Sequence, residues 1–285
     1  MNTATTIRIL LLFGDPKRTR TAEISNWTGK AIAGPRTDLG EILSRTELAS
    51  AGVYILIGVD PLSGNPIVYI GEAEVVADRI KQQKNREFWS SIIVFVSKDE
   101  NLTKAHIRYL EGRIINEALN IGRYELDNTQ SSGAHLPESD KYDMEAYFDR
   151  IRLLLPVLGT ELLTPITPSG SISKSKEILY CKTKQATATG IRSPNGFVVF
   201  KGSTAIRSER PSAKTRGPWI LALRAKLINE GALTAHTDDL LVFTKDVEFS
   251  SPSAAAGVVR GGTAPGPVAW KDSSGKTLKS IDIAK

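Results

Sequence analysis

The chain has 285 residues, a formal net charge of +6 and a hydrophobic fraction of 41%. This length allows two domains, each with a sizeable core. The single cysteine excludes an intrachain disulfide, and three scattered histidines with one cysteine do not make a zinc cluster. No segment approaches the roughly 20 apolar residues of a membrane helix, and the N-terminus lacks a secretory pattern. We therefore expect a soluble cytoplasmic protein.

The basic residues are concentrated in the C-terminal part of the chain. From Gly170 onward there are 18 Lys and Arg against 9 Asp and Glu, a balance of +9. Residues 1–169 hold the other 19 Lys and Arg against 22 Asp and Glu. A basic half indicates a polyanionic partner such as nucleic acid. The alternative is a solvated surface that serves only solubility.

Residues 1–48 carry three candidate strands and one candidate helix. Apolar and β-branched runs predict strands over 7–13, 21–27 and 30–33, and near-helical apolar spacing predicts a helix over 38–48. Nothing in this segment suggests chemistry. We interpret 1–48 as a leader segment that packs against the domain that follows it.

Two β-branched runs flank a turn-rich segment in the stretch 52–71. The stretch opens with the triplet Gly-Val-Tyr and closes with the triplet Tyr-Ile-Gly, and 60–66 between them holds two prolines and a glycine. This pattern predicts a β-hairpin with a long loop. Such a hairpin brings Tyr54 and Tyr69 close together on neighbouring strands.

The rest of the chain predicts two α+β domains joined by a linker. After the hairpin we predict a helix over 74–84, a buried strand over 92–96, a helix of about 20 residues that ends near Gly122, and a helix over 141–158. Three strands with flanking helices form the domain 49–163. Residues 164–176, rich in Pro, Ser, Thr and Gly, form the linker.

Residues 177–285 are predicted to form a second, basic α+β domain. Its predicted strands are 178–182, 196–201 and 240–247, and its predicted helices are 218–230 and a helix that begins at Pro252 after a serine N-cap.

Glu111 is the best candidate for a metal ligand. Hydrolysis of a phosphodiester needs an activated water and charge stabilisation, and a divalent metal supplies both. An acid beside the apolar stripe of its helix is costly to bury unless it is paired or bound to a metal. The alternatives are an ion pair with Arg79 or another basic residue, and a helix rotated so that Glu111 meets solvent.

Arg79 is the best candidate to hold a phosphate, because a guanidinium stays charged and contacts two oxygens at once. The alternative is an ordinary surface arginine. Tyr54 and Tyr69 are candidates to position a water, or to deprotonate it if their pKa, near 10, is lowered. The alternative for both is ordinary packing in a strand.

The two triplets, Arg79 and Glu111 resemble, in order and approximate spacing, the GIY-YIG nuclease family over about residues 50–130. The resemblance implies a three-stranded antiparallel sheet with flanking helices and single-metal hydrolysis of nucleic-acid phosphodiesters. It implies that Glu111 binds Mg²⁺ or Mn²⁺ and that Arg79 holds the phosphate. It also implies that one of Tyr54 and Tyr69 is the general base. Asn128 is similar to the family's late asparagine, which helps to position the site.

Three features depart from the family pattern. The gap between the triplets is longer than usual, and Gln83 stands where many members have a histidine. Glu72 follows the second triplet where a lysine or a small polar residue is common. We expect Glu72 either to repel phosphate or to pair with Arg79. These departures affect the expected catalysis more than the expected fold.

The C-terminal part also shows a resemblance. The run Ser-Pro-Ser-Ala-Ala-Ala at 251–256, then Trp270 and 275–278, is similar to a domain of unknown function appended to bacterial GIY-YIG proteins. Its expected task is to help bind DNA. Trp219 and Trp270 are candidates to stack on bases, with burial in the core as the alternative.

The sequence therefore predicts a metal-dependent endonuclease that cuts DNA. One alternative is a catalytically inactive nucleic-acid-binding protein that keeps the nuclease scaffold. Another is a protein-interaction module whose basic half meets an acidic partner.

Overall fold

The computed structural model describes residues 4–130, 133–166, 178–183, 185–210, 213 and 217–283. Its contacts divide the chain into two units, Met1–Thr164 and Pro165–Lys285. The predicted linker lies outside the described residues from position 167 onward. No helix in the described part of the chain has both the length and the apolar character needed to cross a membrane.

The N-terminal unit is built on one seven-stranded sheet. Its strands are β1 (Ile7–Leu11), β2 (Arg20–Ile24), β3 (Gly29–Pro35), β4 (Gly52–Val59), β5 (Pro66–Ala73), β6 (Trp89–Ser97) and β7 (Glu125–Leu126). They lie in the order β1-β2-β3-β6-β4-β5-β7. Each neighbouring pair is antiparallel except β5 with β7, which is parallel.

Four α-helices are described in this unit: α1 (Leu39–Leu43), α2 (Val76–Gln82), α3 (Lys104–Ile121) and α4 (Glu138–Val157). The long helix α3 has clear signals at both ends. The Thr103 hydroxyl caps it by accepting a hydrogen bond from the His106 backbone, and Gly122 ends it with a φ of 68°.

The central strands are buried on both faces, which explains their nearly continuous apolar sequences. Because successive side chains point to opposite faces of a strand, Val53 and Ile55 pack with α3 and α4 on one face. Tyr54 and Leu56 pack with α1 and α2 on the other. We call these the α3 face and the α2 face.

The predicted α+β class is confirmed, but the predicted small sheet is larger. The three predicted strands are β6-β4-β5, and they form the centre of the seven-stranded sheet. The leader predicted over 1–48 instead supplies β1, β2 and β3. Strand β3 pairs with β6 through seven residue pairs, from Gly29 opposite Ser97 to Pro35 opposite Ser91. This pairing satisfies backbone groups that a free sheet edge would expose.

The helix predicted over 38–48 is also interrupted. Only α1 is α-helical, and short 3₁₀ helices lie on either side of it at 36–38 and 46–49. Asp38 precedes α1, but its side chain forms no capping hydrogen bond there. Its buried carboxylate instead accepts hydrogen bonds from the Arg18 side chain and from the backbone and hydroxyl of Thr19.

The C-terminal unit contains two sheets. Strands β8 (Leu179–Lys182), β9 (Thr187–Ser193), β10 (Gly196–Val199) and β14 (Val247–Phe249) form the first, in the order β14-β10-β9-β8. Strands β11 (Thr204–Ile206), β12 (Leu233–Ala235) and β13 (Leu240–Phe243) form a small three-stranded antiparallel sheet, in the order β11-β13-β12. The described helices are α5 (Pro218–Asn229), α6 (Pro252–Arg260), α7 (Gly266–Ala269) and α8 (Leu278–Ile283).

The core of this unit holds Trp270. Its side chain is completely buried, its indole N–H donates to the Pro252 carbonyl at 2.9 Å, and its ring lies 4.4 Å from that of Phe197. Trp270 is therefore not available to stack on a base, whereas Trp219 on α5 is half exposed. The predicted serine cap of α6 is confirmed, because Ser251 accepts a hydrogen bond from the Ala254 backbone.

Candidate active site

The hairpin β4–β5 brings the two tyrosines of the triplets together. Tyr54 lies opposite Gly71, and Tyr69 precedes Gly71 by two residues, so both side chains project from the α2 face. Their ring centroids are 6.0 Å apart and the planes are inclined by 33°. The turn-rich segment 60–66 therefore forms the loop of a β-hairpin, as the sequence pattern predicts, and the two phenols are neighbours.

Gly71 leaves the space that Tyr54 occupies. A Cβ atom at position 71 would lie 2.5 Å from the Tyr54 hydroxyl, which is too close for any side chain. Tyr54 is completely buried, and its hydroxyl forms no hydrogen bond of normal geometry with a described residue. Burial raises the pKa of Tyr54, nearby Arg79 opposes this, and the net shift is upward. Tyr54 is therefore a neutral phenol at physiological pH.

Arg79 lies beside these phenols. It is carried by α2, whose Val76 and Ile80 are buried against the α2 face, while Arg79 itself is exposed. Partial burial lowers the pKa of Arg79, but the proximity of Tyr54 and Tyr69 raises it more. No described carboxylate forms an ion pair with Arg79, whose guanidinium donates to the Gln82 amide oxygen at 3.0 Å. The charge of Arg79 is thus available to a ligand.

Glu111 belongs to α3, on the other face of the sheet. Two ion pairs align α3 with β5: Lys104 with Glu74 at 2.6 Å, and Arg108 with Glu72 at 3.7 Å. The helix advances as the strand runs backwards, so the two are antiparallel. Glu111 lies one turn beyond Arg108 on the same side of the helix and is half-buried. Along the direction of β5, Glu111 therefore lies beside the residues just before Gly71.

The predicted site residues therefore do not meet on one face. Tyr54, Tyr69 and Arg79 lie on the α2 face, and Glu111 approaches from the α3 face. A single ligand can contact both groups only at the outer edge of β5. Among the described residues, β7 pairs with β5 only at Ile67 and Val68, so no described strand covers that edge at Gly71.

Asn128 closes the same edge one residue before Gly71. Its amide nitrogen donates to the Ile70 carbonyl at 2.7 Å, and its amide oxygen accepts from the Ile70 backbone N–H at 3.0 Å. The side chain thus continues the strand pairing that β7 begins. Both polar atoms of Asn128 are used in this way, so the contacts of Asn128 fix the backbone that leads into Gly71.

Arg86 is a member of the cluster that the sequence patterns do not reveal. Its guanidinium lies 4.4 Å from the centre of the Tyr69 ring and forms an ion pair with Asp127. Buried Gln83 accepts a hydrogen bond from Arg86 at 2.7 Å. Gln83, where the family often has a histidine, thus orients a second arginine. Only the strand pairing that places Asp127 beside β5 could have indicated this contact.

Glu72 does not pair with Arg79. It lies on the α3 face with its carboxylate 3.7 Å from Arg108, and its side chain is 20% exposed. Of the two expectations for Glu72, a pair with Arg79 is therefore not observed. A repulsive effect on phosphate near Gly71 stays a prediction.

The comparisons with known proteins concern the C-terminal unit. Residues 179–282 match a domain of unknown function, DUF4357. The match fits the predicted appended domain of unknown function. It spans about a third of the chain and does not reach the triplets or Glu111, so the resemblance to GIY-YIG nucleases stays a prediction. No curated protein and no solved structure matches the chain.

The metal that the resemblance implies would have few protein ligands here. Among the described residues there is no group of three or more His, Cys, Asp or Glu arranged to hold a metal ion. Mg²⁺ is often bound through one or two carboxylates, with water and substrate phosphate completing the shell. A partly exposed carboxylate such as Glu111 fits that type of site.

Proposed function

We propose that the chain is a metal-dependent endonuclease that hydrolyses phosphodiester bonds of nucleic acid, with DNA as the first candidate substrate. The observation that carries this proposal is the cluster beside Gly71. It combines an arginine that has no carboxylate partner in the described chain with two adjacent phenols, at an open strand edge. An available guanidinium next to weak acids suits the binding of a phosphate and of its attacking water.

Arg79 would hold the scissile phosphate. Its planar guanidinium offers two parallel N–H groups to two phosphate oxygens and stabilises the charge that grows on them in the transition state. Arg86, over the Tyr69 ring, adds a second positive charge near the same spot. Because Arg86 is already paired with Asp127, we assign it a positioning role.

The different burial of the two tyrosines suggests different roles. Tyr54 is completely buried and its pKa is raised, so it would keep its proton and support the site from within the core, beside Arg79. Tyr69 is less completely buried, with 9% of its surface exposed. We assign Tyr69 as the general base, which in its deprotonated, phenolate form would accept the proton of the attacking water.

Glu111 would hold the Mg²⁺ or Mn²⁺ ion at the outer edge of β5. A bound divalent ion lowers the pKa of water and neutralises phosphate charge. The substrate strand would then cross this edge, with Arg79 on one side and Glu111 on the other. Asn128 would support both by fixing the Ile70 backbone beside Gly71. In the C-terminal unit, the basic surplus would hold more of the nucleic acid.

The test is a plasmid-nicking assay with Mn²⁺ on the whole chain and five variants. We expect Glu111→Gln and Arg79→Gln to lower the rate by at least about 100-fold, the usual loss when one transition-state contact is removed. Lys81→Gln is the matched control for Arg79, because Lys81 is on the same helix but pairs with Asp78. Tyr69→Phe should lower the rate more than Tyr54→Phe.

Absence of nicking by the unaltered chain with every divalent ion tested would refute the enzyme. The second candidate, an inactive nucleic-acid-binding protein, is favoured by the position of Glu111 on the opposite face from Arg79. It predicts DNA binding without cleavage. Measuring binding of the same plasmid by gel shift therefore separates the two candidates.

A further inference from the structure

The C-terminal unit contains a cavity of about 490 Å³, none of whose lining residues belongs to the candidate active site. It is lined by strand β8 and by the chain that follows α7. Tyr180 and Lys271 lie opposite each other there, with Tyr180 N–H donating to Lys271 at 2.7 Å and Lys271 N–H donating back at 3.0 Å. Lys182 follows Tyr180 by two residues and so projects from the same side of β8.

Three cations surround this cavity: Lys182, Arg260 and Lys271. None of them forms an ion pair with a carboxylate among the residues that the structure describes. The Lys182 ammonium lies 5.6 Å from the centre of the Tyr180 ring. The Arg260 side chain contacts the Cys181 thiol, and its buried Nε atom has no hydrogen-bond partner among the described residues. A buried N–H without an acceptor is costly, so a ligand that supplies the acceptor is favoured.

One carboxylate, Asp272, also lines the cavity, but its turn uses it. A single oxygen of Asp272 accepts hydrogen bonds from the backbone and hydroxyl of Ser274 and from the backbone of Lys276. The lining therefore keeps a positive surplus of two charges. Arg260 is the last residue of α6, where the helix dipole adds a partial negative charge of about one half. This partial negative charge is smaller than the positive surplus of two charges.

We propose that this cavity binds a phosphate group, carried either by a single strand of nucleic acid or by a free nucleotide. The Arg260 guanidinium contacts two phosphate oxygens, the two lysines neutralise the remaining charge, and the half-exposed ring of Tyr180 packs against the adjoining base. The choice of a nucleic-acid strand rests on the proposed nuclease function, whereas the cavity's preference for phosphate does not.

The experiment measures fluorescence anisotropy of a short labelled single-stranded DNA with the whole chain. We expect the double variant Lys182→Gln/Lys271→Gln to weaken binding at least tenfold and to lower the slope of log affinity against log salt by about 1.4, because each phosphate contact on a single strand contributes about 0.7. Arg260→Lys keeps the positive charge but removes the planar guanidinium that contacts two oxygens at once. It should weaken binding about threefold or more.

Lys201→Gln is the matched control, because Lys201 is an exposed lysine of the same unit that does not line the cavity. Equal losses from Lys201→Gln and from either cavity lysine alone would overturn the proposal, as would unchanged binding in the double variant. Thermal unfolding of each variant shows whether it is folded. Anisotropy reports binding without cleavage, so loss of nicking with binding intact contradicts only the nuclease proposal, and binding that the cavity lysines do not affect contradicts only this one.

Competition identifies the source of the phosphate. If deoxyadenosine monophosphate displaces the labelled strand at micromolar concentration, and Lys182→Gln/Lys271→Gln removes that effect, the cavity takes a free nucleotide. If only unlabelled strand competes, the cavity takes nucleic acid. Both outcomes support a phosphate site. Failure of inorganic phosphate, nucleotide and strand alike to bind in a way that the cavity lysines affect would refute it.

Discussion

The two candidate sites are made of differently placed side chains. In the N-terminal unit, completely buried Tyr54 occupies the space over Gly71, and Arg79 lies beside it. In the C-terminal unit, exposed Lys182 and Lys271 surround an open cavity. The first site is therefore part of the core, and changes there alter stability and function together. The second is on the surface, so its lysines can be replaced with little effect on stability, within about 0.5 kcal/mol.

The lysines and arginines of the two units also differ in how often they pair with carboxylates. In the N-terminal unit, lysines and arginines such as Arg18, Lys30 and Arg113 are tied to carboxylates. In the described part of the C-terminal unit, buried Arg224 donates instead to the backbone carbonyls of Val258, Ile206 and Arg207. A cation without a carboxylate partner is more common in the described part of the second unit, but Arg20 and Arg36 show that it also occurs in the first. Arg79 is informative because of the two phenols beside it.

The largest stability effect is expected from Gly71→Ala. The new Cβ would lie 2.5 Å from the Tyr54 hydroxyl, so the ring or the strand must shift. Overpacking of this kind costs about 1–3 kcal/mol of unfolding free energy. Urea unfolding of both proteins measures the difference. Gly40→Ala is the matched control, because a Cβ at position 40 meets no atom within 4 Å. An unchanged midpoint for Gly71→Ala would show that the Tyr54 pocket is not tightly packed.

Local patterns predict the hairpin, the serine cap of α6 and the end of α3 at Gly122, because each depends on residues close together in the sequence. The pairing of β3 with β6 could not be read in that way. It joins positions more than 55 residues apart, and no sequence pattern in either strand indicates which strand it pairs with. For this reason the sequence pattern did not show that β1, β2 and β3 extend the sheet of the following domain.

The same distinction between local and long-range contacts applies to the residues of the candidate active site. The proximity of Tyr54 and Tyr69 follows from hairpin register, which the two triplets fix. That Arg79 and Glu111 belong to opposite faces depends on which side of the sheet each helix crosses, and helical spacing alone does not determine this. The role of Arg86 depends on β7, a strand of two residues that no periodic pattern marks.

The difference between the buried site and the exposed site can also be tested through the pH dependence of stability. Because burial raises the pKa of Tyr54, the folded protein keeps the proton above pH 10, whereas the unfolded chain loses it near pH 10. Stability from this group is therefore complete below pH 10 and falls as the pH rises further. The loss should reach about 1 kcal/mol at pH 11 relative to pH 8.

Tyr54→Phe should remove this part of the pH dependence, which urea unfolding at the two pH values measures. Tyr142→Phe is the control, since Tyr142 is 71% exposed and should leave the dependence unchanged. Equal pH dependence in the unaltered chain and in Tyr54→Phe would mean that the Tyr54 hydroxyl reaches solvent, and the assigned division of roles between Tyr54 and Tyr69 would then lose its basis.

The smallest effect is expected from Glu72→Gln, at the exposed rim of the buried site. Its ion pair with Arg108 spans 3.7 Å and Arg108 is 42% exposed, so the unfolding free energy should change by less than about 0.5 kcal/mol. If nucleic acid crosses the edge of β5, removing this charge should tighten binding about twofold at low salt, and the gain should fade as salt screens it. Glu138→Gln removes the same charge from the exposed start of α4 and should leave affinity unchanged. Equal gains from both variants would indicate a general charge effect and place the strand elsewhere on the protein.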